Sequence, residues 1–297
     1  MNLEAQRILD KYFSVIPVTE GVYRILIDRL YPVSDLIVGS HHAAVIDGGT
    51  GFGNLPSAIR KLTDKPLFIF NTHNHVDHVG ANVQFRQPVY MGTEDIPDAV
   101  YGNNVDFRRK HLTGRIAQYG SIEDESFDPE EFLHRTAGEM LPCDEGDVFD
   151  LGGLTLRVYN APGHSIGSRA FYLEERKILY TGDNAYPCTL LFGYGSVKRQ
   201  VYLATVDKLL EIPFEGFLGA HHLDFLTRDD LRRIRRVAEK ADYATGIPFP
   251  NPIRNGEDAR TCFADDDRPA EDVMQRLRQG EHTSDGEVWA MVLSSYT

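Results

Sequence analysis

Four side chains of types that commonly bind metals lie within six consecutive positions of this chain. They are His73, His75, Asp77 and His78, and they follow an apolar run over 66–70 that predicts a β-strand. Because side chains alternate along an extended chain, the first two histidines can point the same way, while a turn carries the other two ligands to a second point nearby. One loop can therefore supply ligands to two adjacent metal ions. This density of ligands disfavours the alternative, an exposed loop that is merely rich in histidine.

Imidazole and carboxylate ligands without thiolate suit zinc, and iron and manganese are the alternative metals. Two zinc ions need more ligands than one loop offers. Three further places in the sequence repeat the same local pattern, a short predicted strand followed by a small residue and then a ligand. These places are His164 after the strand 154–159, Asp183 after 177–180, and His221 or His222 after 216–220.

In this order, the motifs resemble those of the metallo-β-lactamase-fold hydrolases. The resemblance extends from about residue 20 to residue 224 and rests on the His-x-His-x-Asp-His loop, a Gly-His turn, a Gly-Asp pair and a final histidine. The segment 40–49, with Asp47, is similar to the opening hairpin of that family. The resemblance implies an α+β (α/β) fold, a four-layer αββα sandwich with two facing sheets and helices outside each. It also implies that the metals lie at the common edge of the sheets.

The resemblance further implies how the ligands are shared between two metals. His73, His75 and His164 would hold one metal, Asp77, His78 and His221 the other, and Asp183 would link them. The family usually places its last ligand in a Pro-Gly-His-Gly turn, whereas this chain has Gly-Ala-His-His at 219–222. Alternation at a strand end lets only one of the two histidines, His221 or His222, face the metals. We expect it to be His221.

Two metals linked in this way would lower the pKa of a shared water and supply hydroxide at neutral pH. Asp77 would orient that hydroxide and move its proton. Tyr186 follows Asp183 by three residues, and this stretch is similar to the quorum-signal lactonases of the family, in which such a tyrosine hydrogen-bonds the carbonyl oxygen. Alternatively, Tyr186 is an ordinary aromatic residue before a proline. The linking aspartate is typical of the thioesterase, lactonase and phosphoesterase branches, whereas true β-lactamases generally lack it.

We therefore expect a dinuclear zinc hydrolase that acts on a small ester, thioester or lactone. The alternatives are a phosphodiesterase or nuclease, a β-lactamase-like amide hydrolase, an iron-dependent redox member of the same fold, and a metal-binding protein without turnover. The net charge of -13 disfavours a nuclease, since it opposes a polyanion. The glycine-rich segment 48–53 lacks the lysine and the spacing of a phosphate-binding loop.

The rest of the sequence predicts the elements that position these ligands. With 297 residues and 42% hydrophobic content, the chain can bury the large core of a single domain over 1–297. The segment 102–141 is rich in charge and poor in strand formers, which predicts a helical or loop insertion that serves as a lid or a dimer contact. Helices are predicted over 1–11, 55–62, 198–210 and 228–240. The region 225–297 would comprise the last of these helices, capped by Thr227 or Asp229, an extended segment at 246–252 and a final strand at 287–293.

Composition and charge limit the location and the partners. No segment approaches the roughly 18 unbroken apolar residues of a membrane span, and the predicted first helix lacks the apolar region of a secretory signal. The three cysteines, Cys143, Cys188 and Cys262, are widely spaced and odd in number, which favours a reducing compartment. We expect a cytoplasmic protein with a small-molecule substrate, no nucleic acid, no membrane and, by analogy with the family, a homodimer. The basic run 232–236 is predicted to be a solvated helix face with ion pairs.

Overall fold

The computed structural model describes residues 7–9, 12–27, 30–102, 105–106, 108–110, 112–113, 128–134, 138–192, 195–249, 259–262 and 290–295. The chain divides into two compact units, Met1–Val158 and Tyr159–Thr297. That the whole chain forms one domain, with an insertion at 102–141, stays a prediction, and much of that segment lies outside the described residues. No helix in the described part of the chain has both the length and the hydropathy needed to cross a membrane.

The first unit is built on a mixed sheet of eight strands, as far as its residues are described, and these strands lie side by side in chain order. Strands one to five are antiparallel, and strands six to eight extend the sheet in parallel. The fifth strand is buried throughout, and its run of small apolar residues suits a strand covered on both faces. The strands are β1 (Arg7–Ile8), β2 (Phe13–Thr19), β3 (Val22–Ile27), β4 (Leu30–Val38), β5 (Ala43–Ile46), β6 (Leu67–Phe70), β7 (Val89–Met91) and β8 (Met140–Pro142).

Short helices connect these strands. The first of them begins where Asn54 accepts a hydrogen bond from the backbone N–H of Ser57, a side-chain cap that stabilises the helix start. It buries Leu55, Ala58 and Ile59 in the core of the unit, which confirms the helix predicted at 55–62. The helices are α1 (Leu55–Arg60), α2 (Val76–Val79), α3 (Ile96–Gly102) and α4 (Pro129–His134).

The helix predicted over 1–11 is wrong at Arg7 and Ile8. These residues form β1, which pairs with β2 so that Arg7 lies opposite Val15 and Ile8 opposite Ser14. The charged, periodic sequence favours a helix locally, but the edge of β2 offers backbone hydrogen bonds to an extended partner, and tertiary pairing overrides a weak propensity.

The hairpin of β9 (Val148–Asp150) and β10 (Thr155–Asn160) carries the chain from the first unit into the second. In the second unit, strands β11, β12, β14 and β15 lie side by side in that order. Strand β12 is parallel to β14, and the other described pairs, β11 with β12 and β14 with β15, are antiparallel. The strands are β11 (Arg169–Leu173), β12 (Ile178–Gly182), β14 (Gly216–Gly219) and β15 (Leu226–Thr227). The strands predicted before His164, Asp183 and His221 are thereby confirmed as strands.

Four further strands of the second unit form another sheet in the order β13, β18, β17, β16, which places β13 at an edge of the sheet as described. Two helices, α5 and α6, pack on the core and confirm the helices predicted at 198–210 and 228–240. Thr227 caps α6 through a reciprocal contact with Asp230. The final strand is confirmed from residue 290 onward, while 287–289 lie outside the described residues. The elements are β13 (Cys188–Leu191), β16 (Ile247–Pro248), β17 (Ala259–Cys262), β18 (Ala290–Ser294), α5 (Arg199–Leu209) and α6 (Arg228–Lys240).

Candidate metal centre

The histidine-rich loop of the first unit connects β6 to α2. The ring centroids of His73 and His78 are 4.0 Å apart, and those of His73 and His75 are 4.6 Å apart. The Nε2 atom of His78 lies 3.9 Å from a carboxylate oxygen of Asp77. Potential ligand atoms lie within 4.8 Å of each other in the pairs His73–His75, His73–His78 and Asp77–His78. The first unit thus brings together all four ligands predicted in this loop.

Asp47, at the end of β5, holds this loop with both carboxylate oxygens. One oxygen accepts the backbone N–H of Thr72 at 2.7 Å, and the other accepts the Thr72 hydroxyl at 2.8 Å and lies 2.9 Å from Nδ1 of His78. A proton on Nδ1 of His78 donates to this carboxylate, which leaves Nε2 as the nitrogen that can bind a metal. Asp47 adopts a left-handed backbone with φ of 63°, a conformation that aspartate tolerates better than most residues.

Two more contacts fix the same loop. Nδ1 of His73 lies 3.0 Å from the Thr72 hydroxyl, which already donates to Asp47 and therefore accepts from the ring. The backbone N–H of Asn74, between the first two histidines, donates to the buried carboxylate of Asp95 at 3.0 Å. The loop is therefore held in place by hydrogen bonds to side chains that follow β5 and β7.

Asp183 lies at the centre of the ligand set in the second unit. Its Oδ2 atom is 3.5 Å from Nε2 of His164 and 3.2 Å from Nε2 of His221. Gly182, with φ of +55°, ends β12 just before it, and the pairing of β12 with β14 is irregular at this point. This left-handed backbone, which a side chain would strain, turns the chain sharply enough to present the aspartate. One carboxylate oxygen consequently faces two histidines.

His164 is held at three of its atoms. Its backbone N–H donates to the side-chain oxygen of Asn184 at 2.8 Å, its Nδ1 lies 2.5 Å from the carbonyl oxygen of Leu190, and its own carbonyl accepts the Ser196 hydroxyl at 2.8 Å. Because a carbonyl only accepts, Nδ1 carries the proton and Nε2 is left for a metal. A Cβ atom on Gly163 would lie 2.3 Å from the Asn184 oxygen, so glycine is required at that position.

The two adjacent histidines after β14 point to different partners. His221 lies beside Asp183, whereas Nε2 of the buried His222 lies 3.4 Å from a carboxylate oxygen of Asp224. The ring centroids of the buried Tyr186 and of His221 are 5.8 Å apart. The structure therefore groups His164, Asp183, His221 and Tyr186 in the second unit and leaves His222 outside this group. Their roles as ligands or catalytic residues remain predictions.

The donor set fits a divalent metal. Three of the predicted ligands, His73, His78 and His164, have Nδ1 engaged by a hydroxyl, a carboxylate and a backbone carbonyl respectively. This pattern, in which an outer partner fixes the tautomer and leaves Nε2 to the metal, is typical of metal-binding histidines. A histidine that serves only packing has no need of it.

Sequence reasoning missed the contacts by which three residues support the predicted ligands. The role of Asp47 was visible only as part of a hairpin motif, and Asp95 carried no signal because its contact is to a backbone group 21 positions away. Asn184 directly follows the predicted Asp183, and a small polar residue beside a Gly-Asp pair was the one signal available. Its partners, at His164 and Ala161, are visible only in the folded chain.

Comparison with known proteins identifies the family. The family model described as metallo-beta-lactamase superfamily matches residues 28–237. The chain is 28% identical over 195 residues to the acyl-coenzyme A thioesterase MBLAC2 of Bos taurus, a match that covers 62% of this chain and 68% of that protein. It is 31% identical over 200 residues to a hydroxyacylglutathione hydrolase of Crocosphaera subtropica, with 63% and 64% covered.

Solved structures share the fold at low sequence identity. The inverting sec-alkylsulfatase Pisa1 from Pseudomonas sp. superposes with a TM-score of 0.55 and 16% identity over 75% of this chain and 40% of that one. The DIM-1 metallo-beta-lactamase does so with a TM-score of 0.53 and 15% identity over 77% and 99%. These comparisons confirm the predicted family resemblance, the α+β fold class of the metallo-β-lactamase type and the prediction of a hydrolase. The chain belongs to the metallo-beta-lactamase superfamily.

Proposed function

We propose that this protein is a dinuclear, zinc-dependent hydrolase of small-molecule thioesters. The observation that carries the proposal is the position of Asp183, whose one oxygen lies 3.5 Å from His164 and 3.2 Å from His221. A carboxylate has two oxygens and can therefore link two cations, and this is the role proposed for Asp183. Iron and manganese are the other metals that such a donor set accepts.

The residues proposed to hold the metals come from both ligand sets and follow the family pattern. When bound, two such metals supply an acidified water and polarise a carbonyl oxygen. The chain's own part is to fix the nitrogen that three of these histidines present, through the hydrogen bonds to Thr72, Asp47 and Leu190. The proposed ligands are His73, His75, Asp77, His78, His164, Asp183 and His221.

Two residues are proposed to act on the reacting atoms. Asp77 is about one-third exposed, so its carboxylate can exchange a proton with solvent while its neighbour His78 stays buried. Tyr186 lies beside His221, and its phenol would donate a hydrogen bond to the substrate's carbonyl oxygen as negative charge develops there. Asp77 would thus move a proton, and Tyr186 would stabilise the developing charge.

The thioester substrate is supported by the relatives. The two curated relatives described above are named as an acyl-coenzyme A thioesterase and a hydroxyacylglutathione hydrolase, and both names denote cleavage of a thioester. An oxygen ester or a lactone presents the same carbonyl to the same site. The experiment therefore has to rank these substrates against one another.

The test is a substrate panel on the metal-loaded protein, with elemental analysis of the same sample. The panel contains acyl-coenzyme A thioesters, S-lactoylglutathione, a homoserine lactone, a 4-nitrophenyl ester, a β-lactam and bis-(4-nitrophenyl) phosphate. We expect about two metals per chain, the highest kcat/KM on a thioester, and loss of that activity on treatment with chelator. Full activity in metal-free protein, or a higher kcat/KM on the phosphodiester or the β-lactam, would contradict the proposal.

His221→Gln and His222→Gln form a matched pair of variants at adjacent positions. Because His221, and not His222, lies beside Asp183, replacement of His221 is expected to lower kcat/KM by about 100-fold or more and to reduce the metal content. His222→Gln disturbs the contact with Asp224 and is expected to change stability more than kcat/KM. The reverse ranking would show that His222 is the ligand.

A further inference from the structure

The turn that follows β12 carries two of the proposed site residues, Asp183 and Tyr186. It begins with a hydrogen bond from the backbone N–H of Asn184 to the carbonyl of Thr181 at 3.1 Å. One oxygen of Asp183 lies 3.5 Å and 3.2 Å from two histidine nitrogens, and a displacement of about 1 Å near reacting groups can cost about 100-fold in rate. The function proposed for Asp183 therefore requires that the backbone of this turn be held firmly.

The carbonyl oxygens of residues 184, 185 and 186 each accept a hydrogen bond from a buried hydroxyl group. The donors are, in that order, Tyr202 at 2.6 Å, Thr181 at 3.1 Å and Thr189 at 3.0 Å. Side-chain donors to three consecutive carbonyls restrain the turn at three successive peptide groups. We call the hydroxyl groups of Thr181, Thr189 and Tyr202 the hydroxyl clamp.

Thr181 joins the turn to β14, the strand that leads to His221. The register between β12 and β14 shifts at Thr181, an irregularity of the kind that often re-aims side chains beside an active site. The hydroxyl of Thr181 lies 3.1 Å from the carbonyl of Ala185 in the turn and 3.3 Å from the carbonyl of Leu218 in β14. Because a hydroxyl has one hydrogen to donate, it is shared between the two carbonyls and links the turn to the strand.

The turn also packs directly on β14. A Cβ atom on Gly219 would lie 2.6 Å from the carbonyl oxygen of Ala185 and 2.9 Å from Cβ of Tyr186, so a side chain there would force the turn away from the strand. His221 follows two residues later, and its ring centroid is 5.8 Å from that of Tyr186. The turn and the strand end that presents His221 are thus in direct contact within the second unit.

We propose that the hydroxyl clamp is a positioning device that fixes Asp183 and Tyr186 relative to His221, and that it sets metal affinity and turnover through these residues. This inference rests on the proposed function and adds the groups that hold its central carboxylate. Loss of a clamp hydroxyl takes away the hydrogen bond that its buried carbonyl accepts, and a buried carbonyl left in this way is costly enough to shift its peptide group. That shift displaces the neighbouring side chains of the turn.

Thr181→Val and Thr181→Ser form a matched pair of variants. Valine keeps the branched shape and removes the hydroxyl, whereas serine keeps the hydroxyl. On the substrate that is cleaved best, Thr181→Val is expected to lower kcat by about 10-fold or more, to change KM by less than about 3-fold, and to lower the Co²⁺ affinity of the metal-free protein by about 10- to 100-fold. Thr181→Ser should return kcat and Co²⁺ affinity to within about 3-fold of the wild type, since its hydroxyl offers the same donor.

Tyr202→Phe and Tyr172→Phe test the clamp at a second hydroxyl. Tyr202 donates to the turn, whereas Tyr172 donates to the carbonyl of Pro213, elsewhere in the second unit. We expect Tyr202→Phe to lower kcat and Co²⁺ affinity by about 10-fold and Tyr172→Phe to leave both unchanged. If Thr181→Val does not fold, this pair decides the question by the same measurements.

Titration with Co²⁺ needs no substrate, and it therefore separates this inference from the proposed function. Weaker Co²⁺ binding and an altered Co²⁺ absorption spectrum in the clamp variants, in a protein inactive on thioesters, would overturn the proposed function and retain the clamp. Urea denaturation of the same variants reports on the fold alone. Clamp variants with a lower free energy of unfolding but unchanged kcat and Co²⁺ affinity, in a protein active on thioesters, would overturn the clamp and retain the function.

Discussion

The side-chain oxygen of Asn184 accepts the backbone N–H of His164 at 2.8 Å, although the two residues are 20 positions apart. The amide nitrogen of the same side chain donates to the carbonyl of Ala161 at 2.5 Å. The residue next to Asp183 thus holds the turn that carries His164, and one amide side chain couples the positions of two proposed ligands. The backbone carbonyl of Asn184 in turn accepts a hydrogen bond from the hydroxyl of the fully buried Tyr202.

Replacing Asn184 should therefore weaken metal binding without removing a ligand. For Asn184→Ala we expect a 10- to 100-fold lower metal affinity, the usual effect of losing an outer partner of a ligand. Gly163→Ala should act through the same contact, because its Cβ would displace the amide oxygen. Titration of the metal-free proteins with Co²⁺, followed by its absorption spectrum, measures the affinity. Equal affinities in the wild type and both variants would contradict this role.

Asp47 is expected to govern the tautomer of His78. In Asp47→Ala, Nδ1 of His78 and both donors of Thr72 lose their acceptor, so the ring can rotate or carry its proton on Nε2. We expect a 10- to 100-fold loss of metal affinity with the fold retained. Elemental analysis after dialysis against a weak chelator, with circular dichroism on the same samples, checks this expectation. A variant that unfolds, or one that keeps both metals, would show that Asp47 serves the fold instead.

Removal of the Tyr186 hydroxyl is expected to lower the turnover rate and to leave the metal content unchanged. Tyr186→Phe keeps the ring beside His221 and removes only the hydroxyl, so kcat should fall about 100-fold while KM and metal content change little. Tyr172→Phe is a matched control in the same unit, because that buried hydroxyl donates to the carbonyl of Pro213. If both variants retain full kcat, Tyr186 is an ordinary packed aromatic residue.

The proposed ligands carry a local signal in the sequence because each comes soon after a short strand. The loop at His73 and the turns at His164 and Asp183 combine a local strand pattern with a ligand type, and both signals lie within a few residues. The contacts of Asn184 and Leu190 join parts of the chain 20 and 26 residues apart, and no local pattern encodes them. The cytoplasmic location and the homodimer stay predictions.

The contacts of Arg228 are likewise not encoded in any local sequence pattern. The sequence predicts it as the start of α6, but its guanidinium donates to the carbonyls of Leu210 and Ile212, just after α5, and stacks on Phe214 at 4.6 Å. Carbonyls at and just beyond a helix C-terminus lack intrahelical partners, and this side chain donates to two of them, one of which also accepts the backbone N–H of Phe214.

Arg228→Ala is accordingly expected to lower the free energy of unfolding by about 2–4 kcal/mol, from the lost charged hydrogen bonds and the lost stacking. Arg232→Ala, on the same helix, removes an exposed ion pair with Asp229 and should cost less than about 1 kcal/mol. Urea denaturation of the three proteins measures the difference. Similar midpoints for Arg228→Ala and Arg232→Ala would refute the assigned role.

Cys188 is expected to be unreactive at neutral and mildly alkaline pH. Burial raises the pKa of its thiol from the ordinary value of 9.0 to about 12, so the nucleophilic thiolate is scarce at pH 8. Alkylation of Cys188 by iodoacetamide, followed by mass spectrometry of its peptide, should be about 1000-fold slower in the native protein than in urea. Rapid native labelling would contradict the raised pKa.

The raised pKa of Cys188 also makes the free energy of unfolding depend on pH. Because the folded pKa of Cys188 lies above the unfolded one, the neutral thiol contributes stability that is fully present below about pH 9 and is lost as the pH rises towards 12. The difference in free energy of unfolding between the wild type and Cys188→Ala should therefore be constant up to about pH 8 and shrink between pH 9 and 12. Urea denaturation of both proteins at pH 7, 9 and 10.5 measures it, and a difference that grows with pH would reverse the assignment.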